Sequence, residues 1–327
     1  MLNFFAIENR LERLEELGDT LVRLNQVVDW QIFDPVLESI FKSEPKGQGG
    51  RPPYNRVMMF KIMILQQLYN IADDQTEYQI NDRLSFQRFL GMDIGDKVPD
   101  AKTIWLYREQ LKESQRIEEL FDLYTWTLEK AGYITRRGSI VDATFVERPR
   151  QPEGKTGGNT EEKKTNRERQ TDRDAKGAKK GGKSYYGFKN HVKVDADSKL
   201  IVRCTVTAAN RHDGKEAANI LDEKDREAYM DACYRGREIE KAMQKAAPNA
   251  ELHIVRKHDG WNEASEEQQA ANPRIERVRN RVEHVFGYMV KSMGGKGVRC
   301  VGLARARVAV TLKNLAYNMR RASYLMG

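Results

Sequence analysis

The stretch that decides the fold of this chain is Ser139-Ile-Val-Asp-Ala-Thr-Phe-Val-Glu147, which begins directly after Gly138. Its β-branched and aromatic residues favour a β-strand. Asp142 lies in the middle of this strand, where a carboxylate is unexpected because a buried charge is costly unless it is paired or binds a metal. The stretch therefore predicts the first strand of a sheet and, within it, a candidate functional residue.

Downstream of this strand the sequence alternates between strand and helix patterns. Two more strands, joined by the turn Asp195-Ala-Asp-Ser-Lys199, predict three antiparallel strands at residues 139–147, 185–195 and 200–208. Helices and strands then alternate, with helices predicted at 215–221, 236–247 and 274–293 and strands at 227–234 and 252–256. Three antiparallel strands followed by alternating helix and strand is the order of an RNase H-like domain, a mixed α/β sheet with helices on both faces.

The residues upstream are predicted to be all-helical. Leucines recur there at three- and four-residue steps, which gives one apolar stripe: Leu11, Leu14, Leu17, Leu21 and Leu24. Short helices joined by tight turns suit a helix-turn-helix type DNA-binding unit, although a plain helical bundle fits the same pattern. We therefore predict a helical domain for DNA binding and dimerisation at 1–133 and a catalytic domain at 134–327.

A basic insertion interrupts the predicted sheet at about 148–183. It contains twelve Lys or Arg, six Asp or Glu and six Gly, and no large apolar residue. Such a segment cannot bury enough apolar area to offset the entropy lost on ordering, so a flexible loop is predicted. A spacer and a basic arm that closes over a DNA backbone are both compatible with this composition.

The overall composition favours a polyanionic partner. The 327 residues include 56 Lys and Arg against 48 Asp and Glu, a formal net charge of +8. The cysteines (Cys204, Cys233 and Cys300) are far apart, so neither a disulfide framework nor a zinc site is expected, and a cytoplasmic location fits. The apolar stretch at 57–69 is too short and too polar to span a bilayer, so no membrane partner is expected.

Two further acids fall on elements that this fold would bring near Asp142. Asp231 lies in the strand at 227–234, and Glu283 lies beside the apolar stripe of the helix at 274–293, four residues after Arg279. Carboxylates from different elements can hold two Mg²⁺ ions, which activate an oxygen nucleophile and stabilise the leaving oxygen of a phosphodiester. Each acid alone has an ordinary interpretation, as a turn residue or as half of a surface ion pair.

Several motifs resemble those of bacterial insertion-sequence DDE transposases, in particular the insertion-sequence-five family. In the second half they are Val141-Asp-Ala-Thr-Phe-Val-Glu-Arg-Pro-Arg-Gln151, Lys183-Ser-Tyr-Tyr-Gly-Phe-Lys-Asn-His191, Met230-Asp-Ala-Cys-Tyr-Arg-Gly236 and Arg279-Asn-Arg-Val-Glu-His-Val-Phe-Gly287. The N-terminal half matches at Gly50-Arg-Pro-Pro-Tyr54, Arg83-Leu-Ser-Phe-Gln-Arg-Phe-Leu-Gly91 and Val98-Pro-Asp-Ala-Lys-Thr103. The resemblance runs from about residue 48 to residue 322.

The resemblance implies a DNA transposase whose catalytic and metal-binding triad is Asp142, Asp231 and Glu283. It implies two Mg²⁺ ions, replaceable by Mn²⁺, with water and then a 3′-hydroxyl as nucleophile. The expected partners are the terminal inverted repeats and target duplex DNA, bound by a homodimer at the nucleoid of a bacterial cell. The expected cuts are at the ends of the element, followed by joining to the target.

Residues for DNA contact follow less directly from the resemblance. Arg279 holds the basic position four residues before the glutamate and is expected to contact a phosphate near the cut. Relatives often carry Tyr where this chain has Glu276 and Lys where it has Val290; Lys291 follows one step later. The expected DNA-binding residues are Arg279, Lys291, Arg281, Lys189, His191, Arg235, Arg51 and Lys102.

Two alternatives share these features. One is an RNase H-like endonuclease that cuts DNA without joining it, which the triad alone does not distinguish from a transposase. The other is a DNA-binding protein with an inactive core, against which the three intact acids argue. Binding to paired inverted repeats separates the transposase from the nuclease.

Overall fold

The computed structural model describes residues 6–41, 52–149, 172–256 and 265–327. They form two compact units, Met1–Tyr133 together with Leu312–Gly327, and Ile134–Thr311. The predicted boundary at 133/134 placed residues 312–327 in the second domain, whereas their contacts group them with the first. The reason is apolar packing: Leu312, Leu315 and Met319 are fully buried in this last helical stretch.

The first unit is helical across its described residues. Three of its helices begin at side chains that accept a backbone N–H two or three residues ahead, namely Asp19, Asn55 and Asp100. Its helices are α1 (Ala6–Glu16), α2 (Thr20–Val27), a 3₁₀ turn (Trp30–Phe33), α3 (Asp34–Ile40), α4 (Arg56–Tyr69), α5 (Asp73–Asp82), α6 (Leu84–Leu90), α7 (Ala101–Ser114) and α8 (Ile117–Lys130). Among all the described residues, no helix is long and apolar enough to cross a membrane.

The second unit is built on a mixed sheet of six strands in the described ranges. They are β1 (Ser139–Glu147), β2 (Lys176–Lys180), β3 (Lys183–Asp195), β4 (Ile201–Ala208), β5 (Glu227–Met230) and β6 (Glu251–Ile254). β3 pairs antiparallel with β1, β2 and β4, whereas β1, β5 and β6 run parallel. The strand that carries Asp142 is thus the neighbour of the strand that ends just before Asp231.

Helices cover the two faces of this sheet. They are α9 (Gly214–Ile220), α10 (Arg237–Ala246), α11 (Glu266–Arg279), α12 (Arg281–Lys291) and the beginning of α13, with a 3₁₀ turn at Ala232–Tyr234. The helix α13 spans Leu303–Leu325, and its residues from Leu312 onwards belong to the first unit. One apolar cluster packs Val141 of β1 against α9 and α10, and another packs Val146 against Val310 of α13. Because neighbouring residues of β1 point to opposite faces, Asp142 lies on the face of Val146.

The predicted flexible segment at 148–183 is wrong at both of its ends. Residues 172–183 are ordered, and β2 pairs with β3 through backbone hydrogen bonds, which need no apolar side chain. Arg148 and Asp172 form a buried ion pair at 3.3 Å, and Asp172 also accepts the N–H of Gly302. Partnered polar groups can thus order a segment that lacks apolar residues. Residues 150–171 lie outside the described ranges.

Candidate active site

A polar cavity of about 460 Å³ lies along one edge of β1. β5 pairs only with Ser139 and Ile140, so the rest of this edge of β1 is left beside the cavity. The three predicted acids all line it. The lining residues are Asp142, Ala143, Thr144, Phe145, Glu147, Lys180, Tyr185, Asp231, Arg279, Glu283, Phe286 and Lys296.

Asp142 is the buried carboxylate of this cavity. Burial raises its pKa to about 6, and the negative charge of Asp231 acts in the same direction. The N–H of Ala143 donates to Oδ1 at 2.8 Å, and Arg279 donates to Oδ2 at 3.3 Å, which both favour the ionised form. The N–H of Ala143 and the charge of Arg279 therefore offset only part of the cost that burial and Asp231 place on the ionised form of Asp142.

Asp231 lies one residue beyond β5 and not inside it. The strand was predicted to run to residue 234, but it ends at Met230, and a 3₁₀ turn begins at Ala232. The Asp231 side chain starts that turn, because Oδ1 accepts the N–H of Cys233 at 2.9 Å. Aspartate is disfavoured in strands and favoured at such caps, so local chemistry accounts for the early end of the strand.

Glu283 lies in the first turn of α12. The single helix predicted at 274–293 is two helices, α11 and α12, which meet at Asn280. Glu283 is exposed and lines the cavity from the helix side. The break matters because it makes Arg279 the last residue of one helix and Glu283 an early residue of the next.

Three cations line the same cavity as the acids: Arg279, Lys180 and Lys296. The Lys296 ammonium donates to Thr144 Oγ1 at 2.5 Å and lies 5.6 Å from the centroid of the Phe286 ring. Burial lowers the pKa of Lys296, and the charges of Glu283, Glu147 and Asp142 oppose that effect. Lys296 is thus a cation held among carboxylates.

Sequence reasoning missed Lys296, because it lies thirteen residues beyond Glu283 in a loop and not on the helix. Gly294 and Gly295 turn the chain with φ of 66° and 108°, a region that favours glycine. The N–H of Val298 then donates to the carbonyl of Glu147 at 3.0 Å, which ties the loop to the end of β1. A signal was present in Gly294-Gly-Lys-Gly297, a lysine flanked by glycines.

Two predicted DNA-binding residues are held inside the second unit. His191 has no exposed surface, and its Nε2 lies 2.8 Å from Thr207 Oγ1. Burial lowers the pKa of His191 to about 4. The Lys189 ammonium donates to Asp213 Oδ1 at 2.7 Å and to the carbonyl of Arg211 at 2.8 Å. Direct DNA contact by His191 is therefore wrong, because a fully covered ring cannot reach DNA.

Of the remaining predicted DNA-binding residues that the structure describes, Arg279 lines the cavity and the others do not. Arg281 donates to the carbonyl of Ala196 at 2.9 Å, on the turn between β3 and β4. Lys291 is exposed at the end of α12, and Lys102 is exposed in the first turn of α7. Arg235 follows the 3₁₀ turn and is half-buried, and Arg51 lies outside the described residues. Their contact with DNA stays a prediction.

The chemistry of the donor set fits a divalent metal ion. Carboxylate oxygens are the ligands that Mg²⁺ prefers, and burial together with the charge of Asp231 makes a negative charge on Asp142 unfavourable, a cost that a bound cation would offset. Three carboxylates share the cavity, but within the described ranges no group of three or more His, Cys, Asp or Glu side chains has an arrangement that would hold a metal ion. The cavity therefore fits a divalent metal ion in the type and the charge of its side chains, and not in their arrangement.

Two family models match the chain, and together they cover most of it. The model described as "Transposase domain" matches residues 9–110, and the model described as "Transposase DDE domain" matches residues 134–319, more than half of the chain. Among solved structures, the chain is similar to a piggyBac transposase in a synaptic complex with hairpin DNA. The identity is 11%, the TM-score is 0.47, and the match covers 94% of this chain and 75% of that one.

Proposed function

The chain belongs to the transposase DDE-domain family, and on this premise we propose that it cuts the ends of an insertion sequence and joins them to target DNA. The observation that carries the proposal is the cavity along β1, which three carboxylates and three cations line together. A phosphodiester that is being cut needs both kinds of group, carboxylates to hold metal ions and cations to bind the phosphate oxygens.

Asp142, Asp231 and Glu283 would hold the metal, which we propose to be two Mg²⁺ ions. Bound Mg²⁺ supplies an activated oxygen nucleophile and stabilises the leaving oxygen. The chain itself fixes the acids: the N–H of Ala143 orients Asp142, and the N–H of Cys233 orients Asp231. Hydrogen bonds to rigid backbone keep such oxygens in place while the substrate changes shape.

Arg279 and Lys296 would bind the phosphate on either side of the acids. Arg279 now donates to Asp142 and to Asn280, and both are contacts that a phosphate oxygen can replace. Lys296 would hold a second phosphate oxygen as a point charge. The position that relatives fill with a helix lysine is valine here, so the loop lysine takes that role in this proposal.

Sequence-specific DNA binding is proposed for the first unit, which the "Transposase domain" model matches. Joining two ends of one element usually needs two active sites, so we propose a homodimer on DNA. The motifs of the second half, from Val141 to Gly287, support the finer assignment to the insertion-sequence-five family. These three proposals rest on the sequence and are independent of the cavity geometry.

A plasmid that carries the gene with its natural flanking DNA tests the proposal. With Mg²⁺, the wild-type protein should cut at the inverted repeats and join the freed ends to a second plasmid. Asp142→Asn should lose both products and still bind the DNA. Asp197→Asn is the matched control, because Asp197 lies in the same unit with a side chain that is 62% exposed.

The outcome separates the alternatives. Cutting without joined products would indicate the nuclease, and binding without cutting by the wild-type protein would indicate an inactive core. Cutting that survives in a folded Asp142→Asn variant would contradict the proposed role of the carboxylates.

A further inference from the structure

An aromatic pair lines the cavity beside the acids, and the mechanism does not use it. The rings of Phe145 on β1 and Tyr185 on β3 lie parallel, with centroids 4.1 Å apart and an angle of 3° between their planes. Both side chains are partly exposed, and both line the cavity with Asp142. Among the described residues, neither ring belongs to the apolar clusters around Val141 and Val146, so packing in these two clusters does not account for the pair.

The strands are built to bring these rings together. Gly187 lies between Tyr185 and Lys189 with φ of 142°, and a Cβ there would overlap the carbonyl oxygen of Val146. Only glycine permits so close an approach of β3 to β1. Phe145 is directly opposite Lys189 in the register, and Tyr185 lies four residues earlier on the same face of β3.

One side of the stack is already occupied. The Lys189 ammonium lies 5.3 Å from the centroid of Phe145, and Asp213 and the carbonyl of Arg211 hold it there. Tyr185 covers the other part of the Phe145 surface. In the described parts of the chain, Phe145 is the ring that stacks on Tyr185, and no cation is positioned over Tyr185. Because Tyr185 is partly exposed, its ring offers the aromatic surface that remains for a ligand.

A cation accompanies that surface. β2 and β3 form a hairpin whose turn is Gly181-Gly182, with φ of 56° and 76°. Lys180 lies at its tip, is exposed, and lines the same cavity as Asp142 and Tyr185. A flat ring next to a solvated ammonium is the combination that binds a nucleotide of a single strand, the ring through its base and the ammonium through its phosphate.

We propose that Phe145, Tyr185 and Lys180 form a nucleotide subsite, in which an unpaired base next to the cut phosphate stacks on Tyr185. This inference rests on the proposed function, because it takes DNA to be the ligand of the cavity. Stacking on a ring tolerates all four bases, since each has a flat aromatic face. The subsite therefore favours a strand end whose base has left the duplex, and it does not read sequence.

Two fluorescein-labelled probes test the subsite by anisotropy with the full-length protein in EDTA: a single-stranded dT 12-mer and an abasic 12-mer with the same phosphates. Tyr185→Leu should weaken binding of the dT 12-mer by about 5- to 150-fold. It should leave binding of the abasic 12-mer unchanged. Tyr185→Phe keeps the ring and should bind both probes like the wild type. Lys180→Gln should weaken both probes equally.

The proposal is overturned if Tyr185→Leu binds both probes as the wild type does, or loses affinity for both by the same factor. A second measurement needs no variant, in case the leucine protein does not fold. A dT 12-mer that contains 5-iodouracil should cross-link to Tyr185 or Phe145 on irradiation. Cross-linked peptides that contain neither ring would also overturn the proposal.

These outcomes are independent of the cleavage test. Base-independent binding together with normal cutting of the plasmid refutes the subsite alone. Base-dependent binding without cutting by the wild-type protein refutes the proposed function and leaves the subsite in place.

Discussion

Replacing Asp142 by asparagine should stabilise the metal-free protein at alkaline pH, although it should abolish cutting. Burial and Asp231 raise the pKa of Asp142 from its ordinary value of 3.8 to about 6. The folded state therefore binds this proton more tightly than the unfolded state does. As a result, the free energy of unfolding falls as the pH rises from 3.8 to about 6, and it stays low at higher pH. Asparagine keeps the Oδ1 acceptor for the N–H of Ala143 and removes the buried charge.

The size of the effect follows from that shift. At 1.36 kcal/mol for each pKa unit, ionised Asp142 costs the folded state roughly 3 kcal/mol at pH 8 and about half of that at pH 5. The pKa already includes the charge attraction of Arg279, but asparagine also replaces the Oδ2 acceptor by an N–H₂ group, which removes the 3.3 Å hydrogen bond from Arg279 at a cost on the order of 1 kcal/mol. A net gain of about 2 kcal/mol at pH 8 is therefore expected, which shrinks as the pH falls.

Hydrogen exchange measured by mass spectrometry on peptides of β1 is the appropriate assay, because it reports on the second unit alone. In EDTA at pH 8, exchange through opening of this unit should be about 30-fold slower in Asp142→Asn than in the wild type. Asp197→Asn should show no such change, because its side chain is exposed. If exchange in Asp142→Asn is as fast as in the wild type, the ionised Asp142 carboxylate does not destabilise the folded protein, and the prediction is refuted.

Three further results are expected. Mg²⁺ should slow the exchange of β1 in the wild type and not in Asp142→Asn, since binding to the folded state alone is stabilising; equal slowing would place the ion elsewhere. Lys296→Met should lower the rate of DNA cutting by about 10- to 100-fold. Lys291→Met should leave this rate unchanged, because Lys291 lies outside the cavity. A cleavage assay in which Lys291→Met cuts slowly and Lys296→Met cuts normally would instead assign the phosphate contact to Lys291. Lys193→Met should lower the free energy of unfolding of the second unit by roughly 3–5 kcal/mol. The reason is that the Lys193 ammonium lies 2.8 Å from Asp225, and the variant leaves this fully buried carboxylate without its cation. A decrease of less than about 1 kcal/mol in urea unfolding would contradict this prediction.

Local patterns predicted most of the elements around the site. β1 was recognisable from its β-branched residues, and Asp142 stood out in it because a carboxylate rarely occupies a buried strand position. A strand was predicted at residues 227–234. The observed strand β5 begins at the predicted residue, Glu227, but ends at Met230, four residues earlier than predicted. The cap made by Asp231 ended it, and caps of this kind depend on a single side chain.

Other predictions failed where distant partners override local composition. Residues 172–183 have the composition of a flexible segment, but Arg148, Gly302 and a neighbouring strand satisfy their polar groups. His191 resembles a DNA contact in sequence, but the sheet buries it completely. In both cases the outcome depends on residues far away in the chain, which no local pattern contains.

From its residue type alone the sequence singled out Asp142, whereas the element order and the resemblance to a family added Asp231 and Glu283. Their common cavity, the cations in it and the pair of Phe145 with Tyr185 came only from the folded chain. Lys296 shows why: its own neighbours are glycines, and it joins the site because a loop after α12 bonds to the end of β1. The periodicity of apolar residues predicts a single helix or strand. Which residues share a site depends on how helices, strands and loops pack together in the folded chain.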